Sequence, residues 1–141
     1  MFYQAKVTRE DGAWLAEFPD CPGCQTFSDF GEGLRQMAKD ALEGWLAVQL
    51  QFGDVPPAPH THVGDDFIPV HIDPVLATRI RIRLARHEAG LTQRDLAERA
   101  GVTQQQIAKL EHPDSNASII TLAKVAAALG MVLDVRFEKV A

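Results

Sequence analysis

The segment QRDLAERAGVTQQQIAKL, residues Gln93–Leu110, predicts two short helices joined by a tight turn. Ala97 is small enough to let the second helix approach the first closely. Gly101 supplies a left-handed turn conformation that a β-carbon would disfavour. An apolar face that fixes the crossing angle of the pair is predicted for Leu91, Leu96, Val102, Ile107 and Leu110.

The second helix of this pair carries polar and cationic side chains on its outer face, namely Thr103, Gln104, Gln105, Gln106 and Lys109. With these features the segment resembles the helix-turn-helix of the lambda-repressor-like (XRE) family, over roughly residues 76–130. In that motif the second helix enters the major groove, where Gln can bond both N6 and N7 of adenine. By the match, Gln104 and Gln105 are the residues expected at base edges.

Other residues near the motif are candidates for phosphate contacts. Thr92 and Gln93 lie at the start of the first helix, where backbone N–H groups and the helix dipole favour anions. Ser115 and Asn116 follow the second helix and are further candidates. Some helix-turn-helix folds mediate only protein contacts, but the polar, cationic outer face here favours DNA.

The rest of the second half predicts more helices and one strand. Asp73-Pro74 is a helix start, with Asp as N-cap and Pro at the first helical position. Ser118 caps a last helix that ends at Gly130. Met131–Val140 then alternates in polarity, which predicts a half-buried strand. Because no other strand is predicted in this half, a second copy across a dimer axis is its simplest pairing partner.

The first half predicts a small α+β domain of order βββαβ. The strand candidates are FYQAKV, AWLAEF, CQTF and FIPVHI, and Asp11-Gly12 is a hairpin signal between the first two. A helix is expected from near Asp29 to Gln51, with Asp29 and Glu32 as a capping box. Its broad apolar stripe comprises Phe30, Leu34, Met37, Ala41, Trp45 and Val48, flanked by Ala38, Leu42 and Leu46. A Pro-rich loop, 53–66, precedes the last strand. The predicted domains are residues 1–72 and 73–141.

Charge is divided unevenly along the 141 residues, whose net charge is −5. Residues 1–73 hold four Lys and Arg against twelve Asp and Glu, a net charge of −8, whereas residues 74–141 hold ten against seven, +3. This asymmetry suggests two partners of opposite charge, although small domains also drift in charge.

No apolar run reaches the ~20 residues of a membrane span, and MFYQAKVTRE lacks the apolar core of a secretory signal. We expect a cytoplasmic protein.

The first half resembles the HicB antitoxin family of bacterial toxin–antitoxin modules. The residues that carry the resemblance are Asp11-Gly12, Trp14, Phe18-Pro19-Asp20, Pro22-Gly23-Cys24, Thr26, Asp29 and Ala38–Leu42, followed by the Pro56–Pro59 loop and FIPVHI. Phe30 departs from the family pattern, which usually has Thr as helix cap. The order of sheet domain and XRE-type helix-turn-helix is that of one branch of the family.

The resemblance implies a partial RNase H-like fold that binds a HicA toxin, a small basic ribonuclease, and a back domain that binds a palindromic operator. It implies a type II HicAB antitoxin that neutralises an mRNA-cleaving toxin and represses its own operon as a homodimer or tetramer. Candidate toxin contacts are Asp11, Glu17, Asp20 and Asp29, which are equally interpretable as a solvated acidic surface. The alternative is a stand-alone transcriptional regulator whose sheet domain senses a small ligand.

Enzymatic and metal-binding roles are not expected. Two-metal nuclease chemistry needs several inward carboxylates, and the first strand carries none. Cys21-Pro22-Gly23-Cys24 lies in a predicted turn rather than at a helix N-terminus, unlike a thioredoxin-type site. A zinc site using His60 and His62 would have a spacing that matches no usual finger. We therefore expect packed thiols, no cofactor and no metal.

Overall fold

The computed structural model describes residues 1–29, 31–114 and 116–139. The N-terminal part of the chain forms a four-stranded antiparallel sheet that packs against one helix. In chain order the elements are β1 (Phe2–Glu10), β2 (Ala13–Glu17), β3 (Gln25–Ser28), α1 (Leu34–Gln51), β4 (Phe67–His71), α2 (Pro74–Glu88), α3 (Gln93–Ala100), α4 (Gln104–Leu110) and α5 (Ile119–Ala128). The order of the strands in the sheet is β3-β2-β1-β4. In the described part of the chain, no helix is both long and apolar enough to cross a membrane. The predicted α+β class is confirmed.

The chain divides into two compact units, Met1–Arg81 and Ile82–Ala141. The division falls inside α2, whereas the sequence predicts a boundary just before that helix. Asp73 caps α2 as expected, because its carboxylate accepts hydrogen bonds from the backbone N–H groups of Val75 and Leu76 at 2.8 and 3.3 Å.

The first unit buries one face of its sheet beneath α1. The registers Val7↔Ala16, Ala16↔Thr26 and Tyr3↔Val70 define that face, since side chains alternate between the two faces of a strand. The helix contributes a single buried stripe, spaced four residues apart, of Leu34, Ala38, Leu42, Leu46 and Leu50. The Tyr3 hydroxyl donates a hydrogen bond to the Pro57 carbonyl at 2.7 Å, which ties the Pro-rich loop to this core.

The start of α1 differs from the prediction. The helix begins at Leu34 and not near Asp29, and no side chain caps it, so the expected Asp29–Glu32 capping box is wrong. Gly33 has φ 78°, a left-handed conformation that interrupts a right-handed helix. Phe30, which the sequence placed in the apolar stripe, lies outside the described residues.

The second unit packs its helices around one apolar core. Its buried members are Ile82, Leu96, Ala97, Ile107, Leu110 and Val125, with Val102 and Leu122 partly buried against them. These include most of the residues predicted for the inner face of the helix pair. Ser118 caps α5 by accepting a hydrogen bond from the backbone N–H of Thr121, and Gly130 follows the helix with φ 71°, both as predicted.

The C-terminal segment does not form the predicted half-buried strand within one chain. Residues 131–139 carry no strand assignment and are exposed, except for the half-buried Leu133. A strand requires a partner that satisfies its backbone N–H and C=O groups, and none of the described residues supplies one. Val140 lies outside the described residues.

Candidate DNA-binding surface

Both short helices, α3 and α4, begin with a capping box. Thr92 accepts a hydrogen bond from the backbone N–H of Asp95, and the Asp95 carboxylate accepts one from the backbone N–H of Thr92, each at 3.0 Å. Thr103 and Gln106 repeat this arrangement at the start of α4, at 3.1 and 2.9 Å. Gly101 ends α3 in the left-handed conformation, with φ 68°. Local hydrogen bonds therefore fix where both helices begin, and the backbone conformation of Gly101 fixes where α3 ends.

A fully buried carboxylate, that of Glu111, joins three helices of this unit. It accepts hydrogen bonds from Arg83 Nε at 3.2 Å and from Arg86 Nη2 at 2.9 Å, both on α2. Gln93 of α3 donates to it from Nε2 at 3.0 Å. Because Glu111 directly follows the last residue of α4, this network fixes α4 relative to α2 and α3.

The consecutive glutamines of α4 divide into two kinds. The Gln106 side-chain oxygen accepts hydrogen bonds from the Thr103 backbone and hydroxyl, so both side chains serve the cap. Gln104 and Gln105 are exposed, and neither amide has a hydrogen-bond partner among the described residues. The geometry thus leaves two of the four predicted residues at the start of α4, Gln104 and Gln105, with their full hydrogen-bonding capacity.

The remaining predicted DNA contacts lie around these two helices. Thr92, Lys109 and Asn116 are exposed, and Ser115 lies outside the described residues. Gln93 is half-buried, and one of its amide hydrogens is directed to Glu111. The hydrogen bonds from Thr92 hold the pKa of Asp95 below its usual value, so a carboxylate already occupies part of the α3 N-terminus. DNA contact by these residues stays a prediction.

The acidic candidates of the first unit occupy different surroundings. Asp11, Glu17 and Asp29 are exposed. The Asp20 side chain is only 8% exposed, and its carboxylate accepts hydrogen bonds from the His60 backbone N–H at 2.8 Å and from the His60 and His62 rings at 3.1 and 3.2 Å. Burial raises the pKa of Asp20, but these hydrogen bonds outweigh it and hold the pKa below its usual value.

Asp20 therefore anchors the Pro-rich loop and offers little charge to a partner. Sequence reasoning did not find this role, nor that of Glu111, because the partners of both carboxylates are distant in the chain. The only sequence signal for the Glu111 network was the placement of Arg83 and Arg86 beside apolar positions of α2, such as Ile82.

The thiols of Cys21 and Cys24 are buried in the turn that precedes β3, where the Cys24 N–H donates to the Cys21 carbonyl at 2.9 Å. Burial raises the pKa of Cys21 to about 12 and that of Cys24 to about 11. Since the thiolate is the reactive and metal-binding form, both groups are held in their inert form. His60 and His62 contact Asp20 instead of these sulfurs.

Comparison with known proteins assigns both halves of the chain. A family model described as helix-turn-helix matches residues 82–134. An uncharacterised helix-turn-helix transcriptional regulator of Methanothermobacter thermautotrophicus is 50% identical over 52 residues, 37% of this chain and 75% of that protein. A similar regulator of Sinorhizobium fredii is 44% identical over 46 residues, 33% of this chain and 60% of that protein.

A further relative matches nearly the whole chain. Antitoxin HicB 1 of Photorhabdus laumondii is 31% identical over 129 residues, which is 92% of this chain and 81% of that protein. The match includes the sheet unit as well as the helices, in agreement with the resemblance noted in the sequence. The chain therefore belongs to the HicB antitoxin family and carries a C-terminal helix-turn-helix domain of the XRE type.

Proposed function

We propose that this protein neutralises a HicA-like, mRNA-cleaving toxin through its sheet unit and represses its own operon through its helix-turn-helix unit. The observation that carries the proposal is the pair of exposed side chains of Gln104 and Gln105, which make no hydrogen bond to a described residue, on a helix whose Gln106 side chain is engaged in the cap. A surface that retains its hydrogen-bonding capacity on a fixed support is suited to base recognition.

Recognition of the operator follows from this placement. The N-terminal end of α4 enters the major groove, and Gln104 and Gln105 contact base edges there. Contacts to the DNA backbone orient the protein without reading sequence. They are made by Thr92, Gln93, Thr103, Lys109 and the residues after α4. Since residues 74–141 carry a net charge of only +3, nonspecific affinity is weak and a monomer binds poorly.

Toxin binding uses the acidic first unit. A ribonuclease that binds RNA presents a basic surface, so a front half of net charge −8 accelerates the encounter and excludes wrong partners. Asp11, Glu17 and Asp29 are the exposed acids assigned to this contact. Asp20 is assigned to the protein interior because His60 and His62 occupy its carboxylate.

A homodimer forms through the C-terminal segment. Met131, Val132, Val135 and Phe137 are exposed large apolar residues of one short segment that has no pairing partner in the described chain. Exposed apolar clusters of this kind mark protein interfaces, and pairing with the same segment of a second copy satisfies both backbones. A two-fold dimer then places two recognition helices about 34 Å apart, or a multiple of that distance, on a palindromic operator.

Co-expression with the short basic protein encoded by the neighbouring gene tests both halves. We expect that protein to arrest growth alone, and this chain to restore growth and to co-purify with it. The double variant Gln104→Ala/Gln105→Ala should lose operator repression and keep the rescue, whereas Glu17→Lys/Asp29→Lys should weaken the rescue and keep repression. If the unaltered chain gave neither rescue nor co-purification, the antitoxin role would be contradicted.

The same experiment addresses the alternative of a stand-alone regulator that senses a small ligand. The cavity of about 310 Å³ lined by Val7, Trp14, Leu34, Arg35 and Ile68 is open to solvent, and no observation favours a specific ligand for it. Operator repression without any effect on a neighbouring toxin would support that alternative. We assign no catalytic role, cofactor or metal, and we infer that the protein acts in the bacterial cytoplasm, where mRNA and operators are found.

A further inference from the structure

Helix α1 carries a second apolar surface besides the stripe that it buries against the sheet. Along one side lie Met37, Ala41, Val48 and Phe52, the last at the C-cap, with the consecutive residues Gly44 and Trp45 at the centre of the set. We call this set the exposed flank. Met37, Val48 and Phe52 are 41, 47 and 74% exposed, and Trp45 is half-buried. The side of the helix that adjoins this flank presents Gln36, Asp40, Glu43 and Gln51.

The positions of the exposed flank are symmetric about the midpoint between Gly44 and Trp45. Met37 and Phe52 lie equally far from this midpoint, and so do Ala41 and Val48. Two copies of α1 packed antiparallel about a two-fold axis would therefore place Met37 against Phe52, Ala41 against Val48 and Trp45 against Gly44. Self-complementarity of this kind is what a two-fold contact between identical chains requires.

The sizes of the paired residues are also complementary. Trp45, the bulkiest residue of the set, faces Gly44, where a β-carbon would have no heavy atom within 4 Å and the helix surface is open. Ala41 faces the larger Val48. Large side chains opposite small ones are the condition for two helices to interdigitate closely.

The composition of the exposed flank distinguishes a second copy from the basic toxin. None of its six residues is charged, whereas the net charge of −8 of residues 1–73, which would attract a basic partner, resides on other side chains. We infer that the exposed flank of α1 binds the same flank of a second copy, antiparallel and about a two-fold axis. This contact is separate from the C-terminal segment and depends on neither toxin nor operator.

Cross-linking of the full-length chain tests the arrangement. The double variant Ala41→Cys/Val48→Cys places introduced thiols opposite each other in two copies, so a short bismaleimide reagent should give a covalent dimer. The native Cys21 and Cys24 do not interfere, because both are buried. The matched control is Asp40→Cys/Ala47→Cys, which has the same spacing but lies on the polar side. We expect it to give at least about tenfold less covalent dimer.

Adding Gly44→Leu to the cross-linking variant tests whether Trp45 of one copy packs against Gly44 of the other. A β-carbon at this position has no heavy atom within 4 Å, and the leucine side chain fills the space assigned to the partner indole, so the substitution should reduce the covalent dimer by about tenfold. Circular dichroism and thermal melting confirm that the fold is kept. Equal cross-linking in the control pair, no cross-linking of the test pair, or unchanged or increased cross-linking with Gly44→Leu would overturn the inference.

A second measurement separates the inference from toxin binding. Val48→Glu in the full chain should weaken self-association, measured by analytical ultracentrifugation of a chain that also carries Phe137→Glu, and should leave growth rescue unchanged. If Val48→Glu abolished rescue and left self-association intact, the exposed flank would be assigned to the toxin, and the self-contact would be wrong.

Discussion

Gln93 donates a hydrogen bond from its side-chain amide to the Glu111 carboxylate, 18 residues further along the chain, at 3.0 Å. The same carboxylate forms ion pairs with Arg83 and Arg86 and is fully buried. The carboxylate of the residue that follows α4 therefore binds a residue at the start of α3 and two residues of α2. The relative position of the two helices of the helix-turn-helix depends on that carboxylate.

Glu111→Ala should therefore destabilise the protein severely. Removing one member of a buried ion pair leaves the other charges without compensation, which costs about 3–5 kcal/mol. Urea denaturation followed by circular dichroism measures the loss. Glu98→Ala is the control, since Glu98 pairs with Arg94 on the surface, and exposed pairs contribute about 0–1 kcal/mol. Similar losses in the two variants would contradict a central role for Glu111.

The parts of the fold that sequence alone predicts are those set by neighbouring residues. Ser118 caps α5 through a side chain that bonds three residues ahead, and Gly101 ends α3 by its own backbone conformation. Such signals lie within one helical turn, so the bounds of the helix-turn-helix and the inward face of its helices follow from local chemistry.

The features that sequence did not predict depend on long-range or intermolecular contacts. Glu111 meets Arg83 from 28 residues away, and Asp20 meets His60 from 40 residues away. No local pattern encodes either pairing. The segment 131–139 alternates like a strand but has no pairing partner among the described residues. At α1, the conformation of Gly33 overrode a plausible capping box.

The Asp20 carboxylate should make stability depend on acid pH. Its pKa is lowered in the folded state from an ordinary value of 3.8, so the unfolded state takes up the proton first as the pH falls. The stabilisation is complete above the unfolded pKa and is lost as the pH falls through the folded pKa. Asp20→Asn should lower the free energy of unfolding at pH 7 by about 1–3 kcal/mol.

Urea unfolding of both proteins at several pH values between 7 and 2 tests this dependence. The difference between the parent protein and Asp20→Asn should narrow toward the acid end. Asp65→Asn serves as a control because Asp65 is exposed. A difference that is constant over the whole range would show that the charge of Asp20 does not contribute.

The thiols of Cys21 and Cys24 should resist alkylation in the folded protein. Their pKa values of about 12 and about 11, raised from 9.0, keep them protonated at pH 8. We expect iodoacetamide to modify neither thiol in native buffer and both in urea, as read by mass spectrometry. Val63→Cys provides a reactive reference, since Val63 is almost fully exposed. Native modification as fast as that of the introduced cysteine would contradict the assignment of these thiols to the core.

Alanine variants of Gln104 and Gln106 should differ in effect, although both residues lie on α4: the first should affect base recognition and the second helix stability. The Gln104 side chain makes no hydrogen bond to a described residue, so Gln104→Ala should leave the melting temperature unchanged. It should reduce discrimination between the operator and a variant operator by about 1–3 kcal/mol. Gln106 completes the capping box with Thr103, so Gln106→Ala should cost about 1 kcal/mol of stability and keep the discrimination.

Thermal melting, together with titration of both variants on matched and mismatched operators at one salt concentration, gives the two quantities independently. The salt concentration must be held constant, because salt weakens the contacts to DNA phosphates, which do not read sequence, and so changes the affinity for both operators. If only Gln106→Ala lost discrimination between the operators, base recognition would be assigned to Gln106 of the capping box and not to Gln104. Unchanged discrimination in both variants would assign α4 a role in positioning and leave the sequence to be read by another element.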